Sequence, residues 1–172
     1  MDSTIDLGCG PSKRPGAIGF DHYPFPGVDV LGNLDSAPWP FADNSFDRVV
    51  CKDIIEHVAD PVLFLAEIHR IARDGALVEI RTPHFSAQNS WNDPTHRWHY
   101  GAFWYKPFMD GGYLQGRTGR FICESSEVEF GSSVLDILPR LVVALRGLSH
   151  WERKTSFRFP GGDVSTVLRV VK

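Results

Sequence analysis

The chain lacks any apolar run approaching the roughly 20 residues that span a bilayer, and its first residues, Met1 to Leu7, carry Asp2 and Asp6 where a secretion signal would have an apolar core. Export and membrane insertion are therefore not expected. Cysteine is scarce: Cys9, Cys51 and Cys123 are odd in number and have no CxxC or other metal-type spacing. That usage fits reduced thiols in a cytoplasmic setting, each reading as a small buried apolar residue, better than a disulfide framework. Positive charge is not in excess either, since 18 Lys and Arg against 21 Asp and Glu give a net charge of −3. Binding of nucleic acid through a positive field is accordingly not expected. Repeats and low-complexity tracts are absent, and 42% hydrophobic with 23% charged residues exclude a disordered chain. A length of 172 residues predicts one domain, 1–172.

The charges that are present divide unevenly. Residues 1–60 hold four Lys or Arg against ten Asp or Glu, 61–139 hold seven against nine, and 140–172 hold seven against two. An acidic first region suits a cationic cofactor, and a basic last one an anionic substrate or surface. Short apolar runs punctuated by turns predict strands at Ser3 to Leu7, Ala17 to Phe20, Val28 to Leu31, Phe46 to Cys51 and Ala76 to Ile80. Phe121 to Phe130 and Val164 to Val171 predict two more. Between the fourth and fifth runs lies a helix of about thirteen residues, with Asp60 as N-cap, Pro61 at its first position and Gly75 closing it. A strand, helix and strand in that order imply parallel pairing with a right-handed crossover. The fold class predicted is α/β: a Rossmann-like, mostly parallel sheet with helices on both faces and an antiparallel last strand. Val134 to Leu148 predicts a further helix, started near Pro139 and ended at Gly147, which either packs on the core or forms an interfacial face with Arg140, Arg146, Arg153, Lys154 and Trp151.

In an open α/β sheet ligands bind beyond the carboxyl ends of the strands. The first such end carries Asp6-Leu7-Gly8-Cys9-Gly10, whose glycines let a ligand approach the backbone closely. The second carries Asp21, followed by His22, with a carboxylate that can accept from two sugar hydroxyls, and the third carries Asp35, an acceptor for an amino group of a base. Together they suit a nucleoside. The dinucleotide fingerprint is excluded, because Lys13 stands where its third glycine belongs and Asp21 follows Gly10 by only eleven residues. No GK[ST] follows a glycine-rich loop, so a Walker phosphate site is excluded too.

Taken in order, IDLGCGPSKRPGAIGFD (Ile5 to Asp21), LDSAPWPFADNSFD (Leu34 to Asp47), DIIEHVAD (Asp53 to Asp60), EIHRIARDGALVEIRTPHF (Glu67 to Phe85) and DPTHRWHY (Asp93 to Tyr100) resemble the class I S-adenosylmethionine-dependent methyltransferases. The resemblance is to the small bacterial and archaeal, methyltransferase type 11-like branch and covers more than half the chain. It implies S-adenosyl-L-methionine as cofactor. Gly8 and Gly10, with Asp6 and Cys9 beside them, would pass under its amino-acid part. Asp21, with His22, would hold the ribose, and Asp35 with Ser36 would sit at the adenine. The backbone around Cys51 and Lys52 would face the methionine moiety, with Asp53 at the same edge. Two departures from the family pattern stand out. Only Pro11 to Gly16 separate Gly10 from Ala17, fewer than a regular parallel crossover needs, so the first crossover must be abbreviated. The first strand also starts at once, which leaves the cofactor to be covered by residues 84–120 or by a partner subunit such as a second copy in a homodimer.

The segment after the fifth strand is where such enzymes place acceptor-binding groups. It gathers His84, Asp93, His96, Arg97 and His99 beside Trp91, Trp98, Tyr100, Trp104 and Tyr105. His84 or His96 reads as a general base oriented by Asp93, or else these residues cap and pack a lid whose aromatic side chains wall the acceptor. A metal set of His84, Asp93, His96 and His99 lacks a second pair with ligand spacing, so no metal is expected. Glu56-His57, similar to the family's EH signature, reads as orienting the cofactor loop or the acceptor, or as anchoring the next helix. The activity expected is methyl transfer to O or N of a small molecule or glycan. An RNA or protein acceptor, or an inactive cofactor-binding scaffold, are the alternatives.

Overall fold

The computed structural model describes residues 3–132 and 136–172. Seven strands form one sheet: β1 (Thr4–Leu7), β2 (Ile18–Asp21), β3 (Val30–Leu31), β4 (Phe46–Lys52), β5 (Ala72–Pro83), β6 (Arg120–Val128) and β7 (Asp163–Val171), in the order β3-β2-β1-β4-β5-β7-β6. β1 to β5 run parallel, while β7 inserts antiparallel between β5 and β6. All seven predicted strands are present. The strand order reverses at β1, whose two neighbours are β2 and β4, so the chain leaves β1 and β4 on either side of a crevice that can hold a ligand.

Helix α1 (Pro61–Ile71) joins β4 to β5, and its N-terminus is built as predicted: Asp60 Oδ1 accepts from the amides of Val62 at 2.8 Å and Leu63 at 3.2 Å, with Pro61 at the first position. Its end differs. The helix has 11 residues, and Ala72 is already extended and paired with Phe46 in the sheet. Gly75, with φ of 77°, serves instead where the register of β5 on β4 shifts, between the pairs Phe46–Ala72 and Arg48–Leu77. Arg73 holds this region to the sheet by donating to Asp47 Oδ2 at 2.5 Å and to the Asn44 carbonyl at 3.1 Å. Residues 84–120 contain α2 (Asn89–Asn92) and α3 (Gln115–Thr118). The predicted helix after β6 is α4 (Ile137–Arg146), closed by Gly147 with φ of 85° and followed directly by α5 (Leu148–Lys154); Val134 and Leu135 lie outside the described residues.

One apolar cluster extends from Ile5 and Leu7 on β1 through Val49, Val78 and Ile80 to Leu168 and Val170 on β7, with Leu65, Ile68 and Ile71 of α1 packed into it. Burial alternates along β4, β5 and β7. Val49, Cys51, Val78, Ile80 and Leu168 are sealed, whereas Arg48, Val50, Glu79, Val167 and Arg169 on the other side stay half-buried. The abbreviated first crossover explains the thin cover there. Between β1 and β2 the chain makes only the 3-10 turn Gly10–Ser12, and that side is crossed by Glu79 paired with Arg14 and Arg48. No described helix is long and apolar enough to cross a membrane.

Candidate functional site

The carboxyl ends of β1, β2, β4 and β5 open into three adjoining clefts, of about 530, 530 and 360 Å³, and Asp53 lines all of them. Asp53 follows β4 with φ of 53°, a conformation few non-glycine residues adopt and one that recurs where function demands it. Its amide donates to the Arg81 carbonyl at 2.9 Å, and burial raises its carboxyl above the ordinary range.

The first cleft runs from Gly8 along the ends of β2 and β3. Gly8 (φ 65°) and Gly10 (φ 52°) both sit in left-handed backbone. A Cβ on Gly8 would fall 2.5 Å from Ile54 Cγ1, whereas one on Gly10 would meet nothing within 4 Å. Asp21 is 8% exposed and braces this turn: Oδ2 accepts from the Gly10 amide at 2.8 Å and Oδ1 from the Tyr23 amide at 2.9 Å. Each oxygen keeps a further lone pair for a hydroxyl donor. His22, Asp35, Ile54 and His57 complete the wall. Asp35 Oδ1 accepts from the Ala59 amide at 2.7 Å, which ties the third strand end to the start of α1. Tyr23 and Phe25, both exposed aromatics lining this cleft, were not signalled by strand-end reasoning, because they reach it from the loop after β2.

The second cleft is the small one at Asp6, Gly8, Cys9, Arg14 and Lys52. Asp6 is buried with its carboxyl pushed up by desolvation, and its Oδ2 accepts from the Arg14 amide at 2.7 Å, so it shapes the turn from below. Burial also raises the thiols of Cys9 and Cys51. Cys51 points into the core at 1% exposure, which leaves its backbone as the part available to a ligand. Ser36 is exposed and does not line these clefts; its amide is spent on the Asn33 carbonyl.

The third cleft lies between the loop after β4 and residues 84–120, lined among others by Asp53, Glu56, His57, Asp93, His96 and Asp163. Asp163 is held by Arg81, whose Nε and Nη2 approach Oδ2 at 2.7 and 2.5 Å. His96 Nδ1 faces the Ser90 carbonyl at 3.0 Å and therefore carries the proton, which leaves Nε2 as the open lone pair. The Thr95 hydroxyl donates to Asp93 Oδ1 at 2.6 Å and so accepts from His57 Nδ1 at 3.0 Å, which gives His57 the same tautomer. The two rings meet edge to face with centroids 4.7 Å apart. Glu56 is 1% exposed, and burial lifts its carboxyl to about 7. Its Oε2 accepts from Thr82 Oγ1 at 2.9 Å, while Oε1, among the described residues, has no hydrogen-bond partner.

Several expectations for this segment need correction. His84 is 0% exposed, its Nδ1 engaged with Ser86 Oγ at 2.7 Å and its Nε2 3.3 Å from Glu152 Oε1, under the rings of Phe85 and Trp151. A ring so enclosed packs the lid and cannot reach an acceptor. His99 stacks on Trp91 at 3.7 Å and bonds Ser90, so His84, Asp93, His96 and His99 are not gathered. The aromatics form no wall either. Trp98, Tyr100 and Trp104 spend their polar atoms on Val58, Ile55 and Thr166; Tyr100 and Trp104 pack against the core, while Trp98 stays 42% exposed. Asp93 and His96 line the same cleft, but Asp93 Oδ2 is 3.9 Å from His96 Nε2 and does not orient it, a task that falls to the Ser90 carbonyl on Nδ1; Glu56 and His57 lie across from them.

Residues 25–80 match the family model described as a methyltransferase domain. An uncharacterized 37.1 kDa protein in transposon TN4556 of Streptomyces fradiae is 30% identical over 106 residues, 48% of this chain; the chain spans 30% of that relative's length. Among solved structures, a chain of the Haloferax volcanii complex between the Trm112 methyltransferase activator and a methyltransferase has a TM-score of 0.64 and 17% identity, covering 99% of this chain and 83% of that one. A SAM-dependent methyltransferase from Archaeoglobus fulgidus has a TM-score of 0.63 and 17% identity, covering 98% and 86%. At such identities these structures speak for the fold.

Proposed function

We propose that this chain is a class I S-adenosylmethionine-dependent methyltransferase, a reading supported by the family-model match over residues 25–80 and by its fold, and that it transfers a methyl group to oxygen or nitrogen of a small molecule or glycan. The observation that carries the reading is the meeting of three clefts at Asp53, one with a nucleoside-type acceptor set, one over a glycine cradle and one facing the 84–120 segment. S-adenosylmethionine, when bound, supplies a methyl group on a positively charged sulfonium. The residues fit that group. Gly10 leaves backbone access that a side chain would fill, Asp21 offers two partly free acceptor oxygens, and Asp6 and Asp53 line the clefts nearest the cradle with carboxylates that suit a cation.

Methyl transfer of this kind depends chiefly on alignment of the nucleophile with the methyl group. In this reading Asp21 and Asp35 set the nucleoside end, the Gly8 to Gly10 turn and the backbone at Cys51 and Lys52 receive the amino-acid end, and Asp93 and His96 contact the acceptor. Asp53, Asp93 and Asp163 around the acceptor cleft outnumber Arg81, the guanidinium that lines it and is held by Asp163, which favours a neutral or cationic acceptor over an RNA backbone.

The test is calorimetric titration with S-adenosylmethionine and S-adenosylhomocysteine. Wild type is expected to bind both, Asp21→Ala to weaken binding by at least about tenfold, and His96→Ala to leave it unchanged. A folded wild type that binds neither overturns the proposal. Transfer of labelled methyl to a panel of hydroxylated and amino compounds, with RNA alongside, then separates the acceptor classes.

A further inference from the structure

Two histidines and a carboxylate converge in the acceptor cleft with their open lone pairs unassigned by anything above. One ligand atom from each of Glu56, His57 and His96 lies within 4.8 Å of the others. Their hydrogen bonds leave the right atoms free. Ser90 and Thr95 hold the two Nδ1 atoms, so each imidazole presents Nε2, and Thr82 takes Glu56 Oε2, so the carboxylate presents Oε1. Backbone or carboxylate-linked partners on the second ring nitrogen are what metal-ligating histidines ordinarily have, since they lock ring orientation and tautomer. Here the Ser90 carbonyl serves His96, and the Thr95 hydroxyl relays Asp93 to His57.

Glu56 supplies an independent observation. A carboxylate oxygen at a residue 1% exposed, lacking any hydrogen-bond partner among the described residues, is a costly arrangement unless a ligand satisfies it. His57 and His96, each with a ring nitrogen in the same cluster, can meet it through a shared cation.

We propose that Glu56, His57 and His96 form a binding site for one divalent transition-metal ion on the wall of the acceptor cleft. Two neutral imidazoles and one carboxylate suit zinc, manganese or iron in the divalent state and are a poor set for magnesium or calcium, which take mainly oxygen ligands. Ligand atoms around such an ion sit roughly 3 to 3.5 Å apart, from bond lengths of about 2.0 to 2.2 Å. The ligand atoms already lie within 4.8 Å of one another, and small shifts of the two rings that keep their Nδ1 hydrogen bonds would close the remainder toward Glu56. Three protein ligands leave positions open, and these face the cleft with Asp53 and Asp93, where water or an oxygen-bearing acceptor can complete the shell. The site stands on side-chain geometry and holds whether or not the chain transfers methyl groups.

The experiment uses the full chain, stripped with chelator and dialysed against zinc chloride, with metal content measured by mass spectrometry and cobalt(II) chloride as an absorbance probe. About one ion per chain is expected, with visible cobalt bands of low symmetry. Glu56→Gln and His96→Ala are expected to weaken binding by more than about tenfold, Thr95→Val by a smaller factor, and His99→Ala not at all. Far-UV circular dichroism checks each fold; should Glu56→Gln not fold, His96→Ala and Thr95→Val carry the result. Absence of stoichiometric binding in wild type, or equal binding in all variants, overturns the proposal.

Discussion

At the scale of single residues, Asp53 combines a left-handed backbone with a place in all three clefts. Its conformation and its carboxylate can be separated by substitution. Thermal midpoints should fall in the order Gly, Ala, Val at this position, since only glycine meets φ of 53° without strain and a β-branched side chain meets it worst. Cofactor affinity, by contrast, should drop in all three, because each lacks the carboxylate. A midpoint indifferent to the substituent would show that the backbone there is not held as described. Gly8 would respond differently, since a Cβ there would also overlap Ile54. Away from the site, Arg73 and Ser3 hold the Asp47 carboxyl at about 2, below its ordinary 3.8. A carboxyl lowered in the folded state stabilises it above the unfolded value, and that contribution disappears as pH falls from about 4 to about 2. Asp47→Asn should therefore reduce the urea midpoint at pH 6 and differ little from wild type at pH 2, measured by circular dichroism.

At the scale of elements, α1 was the most legible part of the chain and its C-terminus the least. Asp60-Pro61 marks the start by short-range chemistry that any reader of the sequence can find. Its replacement, Asp60→Ala, should cost about 1 kcal/mol in denaturant unfolding. The end was set by a partner distant in sequence: Ala72 pairs with Phe46, and Arg73 reaches Asp47, so Arg73-Asp74-Gly75 joins the sheet although its composition also fits a helix terminus. A second long-range device on α1 is Glu67, 7% exposed, which accepts from the Trp39 amide at 2.7 Å and from Arg70 Nη2 at 2.7 Å. Glu67→Ala would leave the buried Trp39 amide without its acceptor and take a carboxylate from Arg70, which keeps Asp43 and the Phe41 and Trp39 carbonyls. A loss of about 3 kcal/mol is expected, with Glu67→Gln milder, read from denaturant midpoints.

Across the whole molecule, a single apolar cluster links β1 to β7, and the antiparallel β7 sits between β5 and β6 although it is the last strand in sequence. Leu168, 0% exposed in that strand, should cost about 2 to 5 kcal/mol when cut to alanine. If 1–172 unfolds as one domain, far-UV circular dichroism and the fluorescence of the buried Trp39 and Trp151 should report one midpoint, and Leu168→Ala should shift both together. Midpoints that separate would divide the chain into independent units. On the surface, α4 keeps Ile137, Leu138, Leu141 and Leu145 exposed, while Arg140 turns back to the carbonyls of Phe130 and Gly131 and Trp151 on α5 is buried.

Residues close along the chain were enough to read the strands, the parallel pairing of β4 with β5 across α1, the glycine turn and the carboxylates that follow the strands. Each of these depends on local periodicity, on turn chemistry or on a rule of sheet topology, all of which act over a few residues or one crossover. Tertiary structure alone decided which side chains of the 84–120 segment face the cleft. His84 and His96 are both histidines in an irregular, polar stretch with no period from which to read a direction. One turns under Trp151, where Ser86 and Glu152 hold its ring nitrogens, and the other toward His57, with its Nδ1 held by the Ser90 carbonyl. The same holds for Glu56. Nothing in its neighbours along the chain signals burial with an unmet oxygen; that follows from β5 bringing Thr82 to one side of the carboxylate and Tyr100 crowding in nearby.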